Sequence, residues 1–241
     1  MKLLIAIPAY NEASTLESNM RQLRRFCDDR MLGAECIIVI SDNASTDATS
    51  EISGRLGREL PGVSHLRLEK KGKGLAIRRA WQSESADVYA FIDADLSADL
   101  EVLPRMLERF AEGADVVVGS RVLPGSVAVR RKRRRLYSFG YRVLLQVVLG
   151  VRLSDASCGC KAVSRRVVER VMPKVDDDRW FFDTELVVRA MRAGFRVDEI
   201  PVRWTDHPER CSKVSPLAVA LEYLIAVWRL RRKIIRRRAG E

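Results

Sequence analysis

Short runs of apolar residues alternate with longer stretches in which apolar positions recur every three or four residues along the first half of the chain. Residues 2–7 form the first run, and Pro8 is expected to end it. Residues 36–40, 63–68, 89–92 and 115–118 repeat the pattern, and their branched and aromatic side chains predict buried strands. Between them, Ser14 or Thr15 is placed to cap a helix reaching about Phe26. Residues 48–60, 75–83 and 100–110 also carry helical spacing, the last with Asp99 as a natural cap. Strands alternating with helices predict an α/β class with a mostly parallel central sheet and helices on both faces.

The second half is less regular. Residues 130–135 are six consecutive cations, followed by an apolar piece at 143–149 and a loop at 153–159. Trp180 opens a helix that reaches Ala193 and stops at Gly194. Residues 195–204 predict a last strand, which Pro201 assigns to a sheet edge. A final helix begins near Pro216, with Leu217, Leu221, Leu224 and Trp228 at helical spacing and a basic end at 229–238. That stripe suits either the core or a membrane interface.

In a parallel sheet, ligands sit beyond the carboxyl ends of the strands. Those ends carry Tyr10 and Glu12, Asp42, Asp93 and Asp95, and Gly119-Ser120-Arg121. Asp93 and Asp95, with Ser97 just beyond, are hard oxygen donors able to hold a divalent cation that keeps positions open for phosphate oxygens. Asp-x-Asp alone is common by chance, and a helix-capping loop looks the same. Its weight comes from four polar clusters on one sheet edge. Asp42 can accept hydrogen bonds from a base or ribose, and Tyr10 offers a flat face for stacking. Gly72-Lys73-Gly74 can bring backbone N–H groups and a cation near phosphate, although glycines also simply open helices.

Charge narrows the partner. The 241 residues carry a formal net charge of +11, which points to an anion: nucleic acid, acidic lipid headgroups or a phosphorylated substrate. No aromatic–basic recognition motif accompanies the basic blocks, which argues against nucleic acid. Five scattered cysteines, with Cys158-Gly-Cys160 lacking a second pair for zinc, read as reduced thiols of a cytosolic chain. No apolar stretch approaches the roughly twenty residues of a membrane span.

The motifs at 7–12, 42–47, 72–74, 93–97, 118–121, 155–161 and 211–213, in that order, resemble those of the family-2 glycosyltransferases with the GT-A fold. Within that family the chain is similar to the dolichyl- or polyprenyl-phosphate hexosyltransferases, of the glucosyltransferase or mannose synthase type. It departs from the pattern at Asn43, where a second acidic residue is usual, and at Cys211, where glycine is usual before Ser212. The resemblance implies inverting transfer of glucose or mannose, from UDP-glucose or GDP-mannose, to a polyprenyl phosphate. Pro8, Tyr10, Glu12, Asp42, Lys73, Asp93, Ala94, Asp95 and Ser97 would surround the nucleotide-sugar, with Asp93 and Asp95 facing Mg2+ or Mn2+. Arg121, Arg134, Ser138, Arg210 and Lys213 would hold the acceptor phosphate. Asp155 and Glu185 would orient these cations or assist proton transfer, structural ion pairing being the competing role. Residues 1–213 are expected to form the transferase domain, with a donor half at 1–121 and an acceptor half at 122–213. Residues 214–241 would add a basic amphipathic helix, giving peripheral attachment at the cytoplasmic, inner face of an anionic membrane. A saccharide acceptor is the second reading and would need a base such as Asp183 or Glu185.

Overall fold

The first apolar run becomes β1 (Lys2–Ala9) in the computed structural model, which describes residues 1–129, 132–205 and 216–239. Pro8 lies inside this strand and does not end it. β4 (Val88–Ile92) pairs with β1 only as far as Ala6, so the missing N–H falls beyond the last β1–β4 partner. On the other side, register with β2 (Glu35–Asp42) continues to Ala9.

The remaining strands are β3 (Val63–Arg67), β5 (Val116–Ser120), β6 (Val127–Val129), β7 (Cys160–Ser164), β8 (Val197–Pro201) and β9 (Arg203–Thr205). Seven of them form one sheet in the order β3-β2-β1-β4-β7-β5-β8. All neighbours are parallel except β7, which runs antiparallel to β4 and β5. Its pattern, Cys-Lys-Ala-Val-Ser, hides the strand because a lysine interrupts the apolar run. The expected last strand is two. β8 takes the sheet edge, where Pro201 is tolerated, and β9 leaves the sheet to pair with β6.

The helices are α1 (Leu16–Arg30), α2 (Thr49–Glu59), α3 (Lys73–Ser83), α4 (Val102–Ala111), α5 (Lys132–Leu149), α6 (Arg165–Arg170), α7 (Phe182–Arg192) and α8 (Pro216–Ala239). α1 runs a turn past Phe26 because Cys27 extends the buried face of Leu16, Met20 and Leu23. Two cores result, one on each face of the sheet. Ile38, Ile40, Leu16 and Met106 belong to one, and Val39, Trp81, Leu145, Val187 and Val227 to the other.

α5 and α8 pack on each other and close the second core. Tyr223, Ala226, Val227, Leu230 and Ile234 face inward on α8. Leu221, Leu224 and Trp228 of the expected stripe are 60%, 41% and 50% exposed, joined by Ile225. The side chain of Leu217 lies outside the described residues. α5 behaves likewise: Leu145 and Leu149 are buried, whereas Leu136, Phe139, Val143 and Val147 face out. Each helix therefore has two apolar faces, of which the core uses one.

Candidate active site

β4 delivers Asp93 to the carboxyl edge of the sheet. A tight turn follows, with Leu96 at φ 50° and its N–H donating to Asp93 O. Asp95 Oδ1 accepts from Ser97 N at 3.0 Å, and Asn19 Nδ2 donates to Ala94 O at 2.8 Å. The segment after the turn is fastened to β9, because Thr205 N donates to Ser97 O and Asp99 N to Arg203 O.

Lys73 Nζ stands 2.5 Å from Asp93 Oδ1, with the rings of Phe91 and Trp180 on either hand. Burial works to lower the lysine's pKa, but Asp93, Asp183 and Asp95 outweigh it and hold the ammonium above its ordinary range. Lys73 therefore stays charged. The backbone of Gly159 lies so close to the Asp93 carboxylate that no side chain fits at position 159. Two hard carboxylates on one turn, one of them seated in a cradle that a Cβ would fill, suit a divalent cation completed by phosphate oxygens. Among the described residues no set of three or more His, Cys, Asp or Glu gathers as a metal cage.

The glycines of 72–74 serve a different purpose from the phosphate cradle expected of them. Gly72 N donates to Asn43 Oδ1, Gly74 N to Arg179 O and Leu75 N to Asp178 O, so these N–H groups are already engaged. A Cβ at Gly72 would lie 2.4 Å from Asp178 O, and one at Gly74 2.3 Å from Phe182 Cβ. Glycine is needed here for close approach of residues 178–182. Of that motif, only the Lys73 side chain reaches the carboxylates.

At the far end, Asp42 is fully buried. Its Oδ1 accepts from Ser45 N at 3.0 Å, and its buried Oδ2 has no hydrogen-bond partner among the described residues. Glu12 N donates to Thr49 Oγ1, while Glu12 O receives the first N–H groups of α1. Lys71 bonds the Tyr10 hydroxyl and lies 4.1 Å from its ring centroid, so the ring expected to stack already has a cation against it. Pro8, the last but one residue of β1, stands opposite Ser41 of β2, next to Asp42. Asn43, unremarkable in sequence except as a departure, is the tie between this end and the Lys73 turn.

Arg121 follows β5. Its Nε and Nη2 grip Asp155 at 2.6 and 2.8 Å, Nη2 also reaches Ser157 Oγ, and the guanidinium lies 4.8 Å from the Trp204 ring. The pair is 7% and 1% exposed. Burial would lower the guanidinium's pKa, but Asp155 more than restores it. Asp155 is thus an orienting carboxylate. Glu199 of β8 holds the same loop by accepting from Ser154 N and Oγ. Beside Arg121 opens a cavity of about 500 Å³, with Leu123, Ser138, Phe139, Arg142 and Ser154 on its walls. Arg121 and Ser138 are therefore together, as expected. Arg134 lies on α5 with its side chain outside the described residues, and Arg210 and Lys213 lie outside them altogether.

Glu185 does not belong to this site. It is 4% exposed, bonds Arg189 Nε at 2.7 Å and accepts from Asp176 N and Asp177 N. Two residues of α-helix turn about 200°, so Glu185 points away from the face that Asp183 occupies. Asp183 instead meets Lys161 Nζ at 2.5 Å, a lysine 2% exposed that also donates to Cys158 O. The charge in the middle of β7 was the sequence signal for this pair. Burial pushes the Cys158 thiol up to about 11, leaving it inert, and the four described cysteines are all unpaired.

The profile of Glycosyl transferase family 2 matches residues 4–172. The chain is 36% identical over 213 residues to glycosyltransferase AglD of Haloferax volcanii, covering 88% of this chain but only 34% of that protein. It is 30% identical to the undecaprenyl-phosphate mannosyltransferase of Micrococcus luteus, covering 89% of this chain and 88% of that protein. Glucosyl-3-phosphoglycerate synthase from Mycobacterium tuberculosis, solved with Mn2+, UDP and its glucosyl product, has a similar fold. The TM-score is 0.69 at 19% identity, over 95% of this chain and 79% of that one.

Proposed function

Since this chain belongs to the family-2 glycosyltransferases and has their GT-A fold, we propose that it transfers glucose or mannose from UDP-glucose or GDP-mannose to a polyprenyl phosphate. One observation carries the reading: a single loop, 155–159, holds Arg121 at one end and backs Asp93 at the other. Acceptor cation and donor carboxylates are thereby fixed on a common wall.

Asp93 and Asp95 would hold Mg2+ or Mn2+, which supplies positive charge to the departing diphosphate. Asp42, Tyr10 and Glu12 line the end for base and ribose, with Pro8, Ala94 and Ser97 shaping the path between. Lys73, held charged, faces the diphosphate beside Asp93. Arg121 turns the lipid phosphate toward the anomeric carbon, where its oxygen forms the new C–O bond as the bond to the nucleoside diphosphate breaks, with inversion. A phosphate oxygen is already anionic at neutral pH, so no side chain needs to remove a proton. Arg134, Ser138, Arg210 and Lys213 are proposed as further contacts to that phosphate. A saccharide acceptor would need a free base, and both candidates are committed: Asp183 to Lys161, Glu185 to Arg189.

The outward apolar faces of α5 and α8, flanked by basic residues, support peripheral attachment to an anionic bilayer. No helix among the described residues is long and apolar enough to cross a membrane. Unpaired thiols support a cytoplasmic setting. The test is a panel of nucleotide-sugars offered with liposomal polyprenyl phosphate or with saccharides, with and without Mn2+. Metal-dependent transfer to the lipid alone is the expected result; transfer to saccharides alone would overturn the reading.

A further inference from the structure

The cavity beside Arg121 poses an electrostatic problem. Arg121 and Asp155 form a buried pair whose charges cancel, and two of the three guanidinium nitrogens are engaged. A phosphate monoester near neutral pH carries between one and two negative charges, its second pKa being about 6. Against a neutral pair such an anion gains little, because it must shed water to enter. Among the described residues, net positive charge on the cavity wall has to come from a cation other than Arg121.

Arg142 lines the same cavity. It lies one helical turn beyond Ser138, so the two side chains share a face of α5. Its guanidinium makes no hydrogen bond or ion pair among the described residues, and stacks 5.1 Å from the ring of Phe139, which forms the exposed rim. A buried Arg121, an Arg142 unpaired among the described residues and an exposed aromatic on one cavity match an anionic head followed by a prenyl chain.

We propose that Arg142 is a further cationic contact for the acceptor phosphate, in addition to those named above, and that it contributes to a preference for a dianionic phosphate monoester over a monoanionic diester. The proposal rests on the lipid-phosphate reading above. Arg142 supplies the net positive charge that the Arg121–Asp155 pair lacks, and Arg121 supplies direction.

The experiment measures binding of farnesyl phosphate and its methyl phosphodiester by calorimetry, without a bilayer, to the full chain and to R142Q and R142K. The unsubstituted protein should favour the monoester. R142Q should lose roughly ten- to a hundredfold in affinity for the monoester, the effect of one charge-assisted contact, with far less change for the diester. R142K should recover part of the loss, with nucleotide-sugar affinity and thermal midpoint unchanged in both. Equal monoester affinity in R142Q and the unsubstituted protein would overturn the role of Arg142 while leaving the acceptor reading intact. A defect confined to liposome assays would overturn it too, by assigning Arg142 to bilayer headgroups. Failure of the unsubstituted protein to bind either ligand would overturn the acceptor reading itself.

Discussion

A side-chain carbon at Gly159 would stand 1.9 Å from Oδ2 of Asp93, well inside van der Waals contact. The carboxylate therefore keeps its place only because residue 159 has no side chain. Cys160, the next residue, pairs with Ile92 across the β4–β7 ladder, so the backbone has little freedom to retreat. In Gly159→Ala the carboxylate should swing off its seat. Metal-dependent affinity for the nucleotide-sugar should fall at least about tenfold, with little loss of stability, because the group displaced is the end of a side chain 30% exposed. Calorimetric titration with and without Mn2+ checks this, and undiminished affinity would detach Gly159 from the donor site.

His65 sets a pH dependence that has nothing to do with turnover. It lies on β3 beside Ile40 and packs against α2 at Gly54, with Nε2 buried and without a partner among the described residues. Burial holds its pKa below 6.5; Asp42 opposes that effect and Arg67 adds to it. The unfolded chain thus takes up a proton near pH 6.5, and the folded chain only at lower pH. Stability attributable to this group is complete above about 6.5 and drains away as pH falls through that window. Urea midpoints at pH 7.5 and 5.5 should separate more for the unsubstituted protein than for His65→Gln. Parallel shifts would show that other groups carry the slope.

The outward face of α8 can be tested without disturbing its inward face. Replacing Leu221, Leu224, Ile225 and Trp228 by serine should reduce sedimentation with anionic vesicles several-fold and leave the thermal midpoint near its original value. Cutting the chain after Trp228 is a poor substitute. It deletes Leu230, 2% exposed, and the 2.8 Å bridge from Lys233 to Asp176, at a cost of at least about 2 kcal/mol. Unchanged sedimentation of the quadruple variant would leave α5 as the lipid-facing helix.

Local patterns carried most of the fold because its units are local. The first five apolar runs each became a strand, and the carboxylates at their ends converged as parallel topology demands. Three features were hidden for physical reasons. β7 is short and contains Lys161, whose partner Asp183 is 22 residues away and invisible to any window. Glu185 carried the right chemistry on the wrong side of α7, a distinction of helical phase that acidic clustering does not encode. Arg142 sits in a helix whose apolar positions drew attention, and its value depends on which neighbouring cation is already neutralised.

β7 has a consequence for how the chain is made. Among the described strands β7 alone joins β4 to β5, so until residues 160–164 leave the ribosome β3-β2-β1-β4 and β5 have no strand to bridge them. β4 would present an unpaired edge of Val, Tyr, Phe and Ile and β5 one of three valines, the kind of surface that templates aggregation. Substitutions that delay or weaken β7 should then lower soluble yield far more than they alter the specific activity of the molecules that mature. A screen that scored only activity in lysates would mistake these folding lesions for catalytic ones.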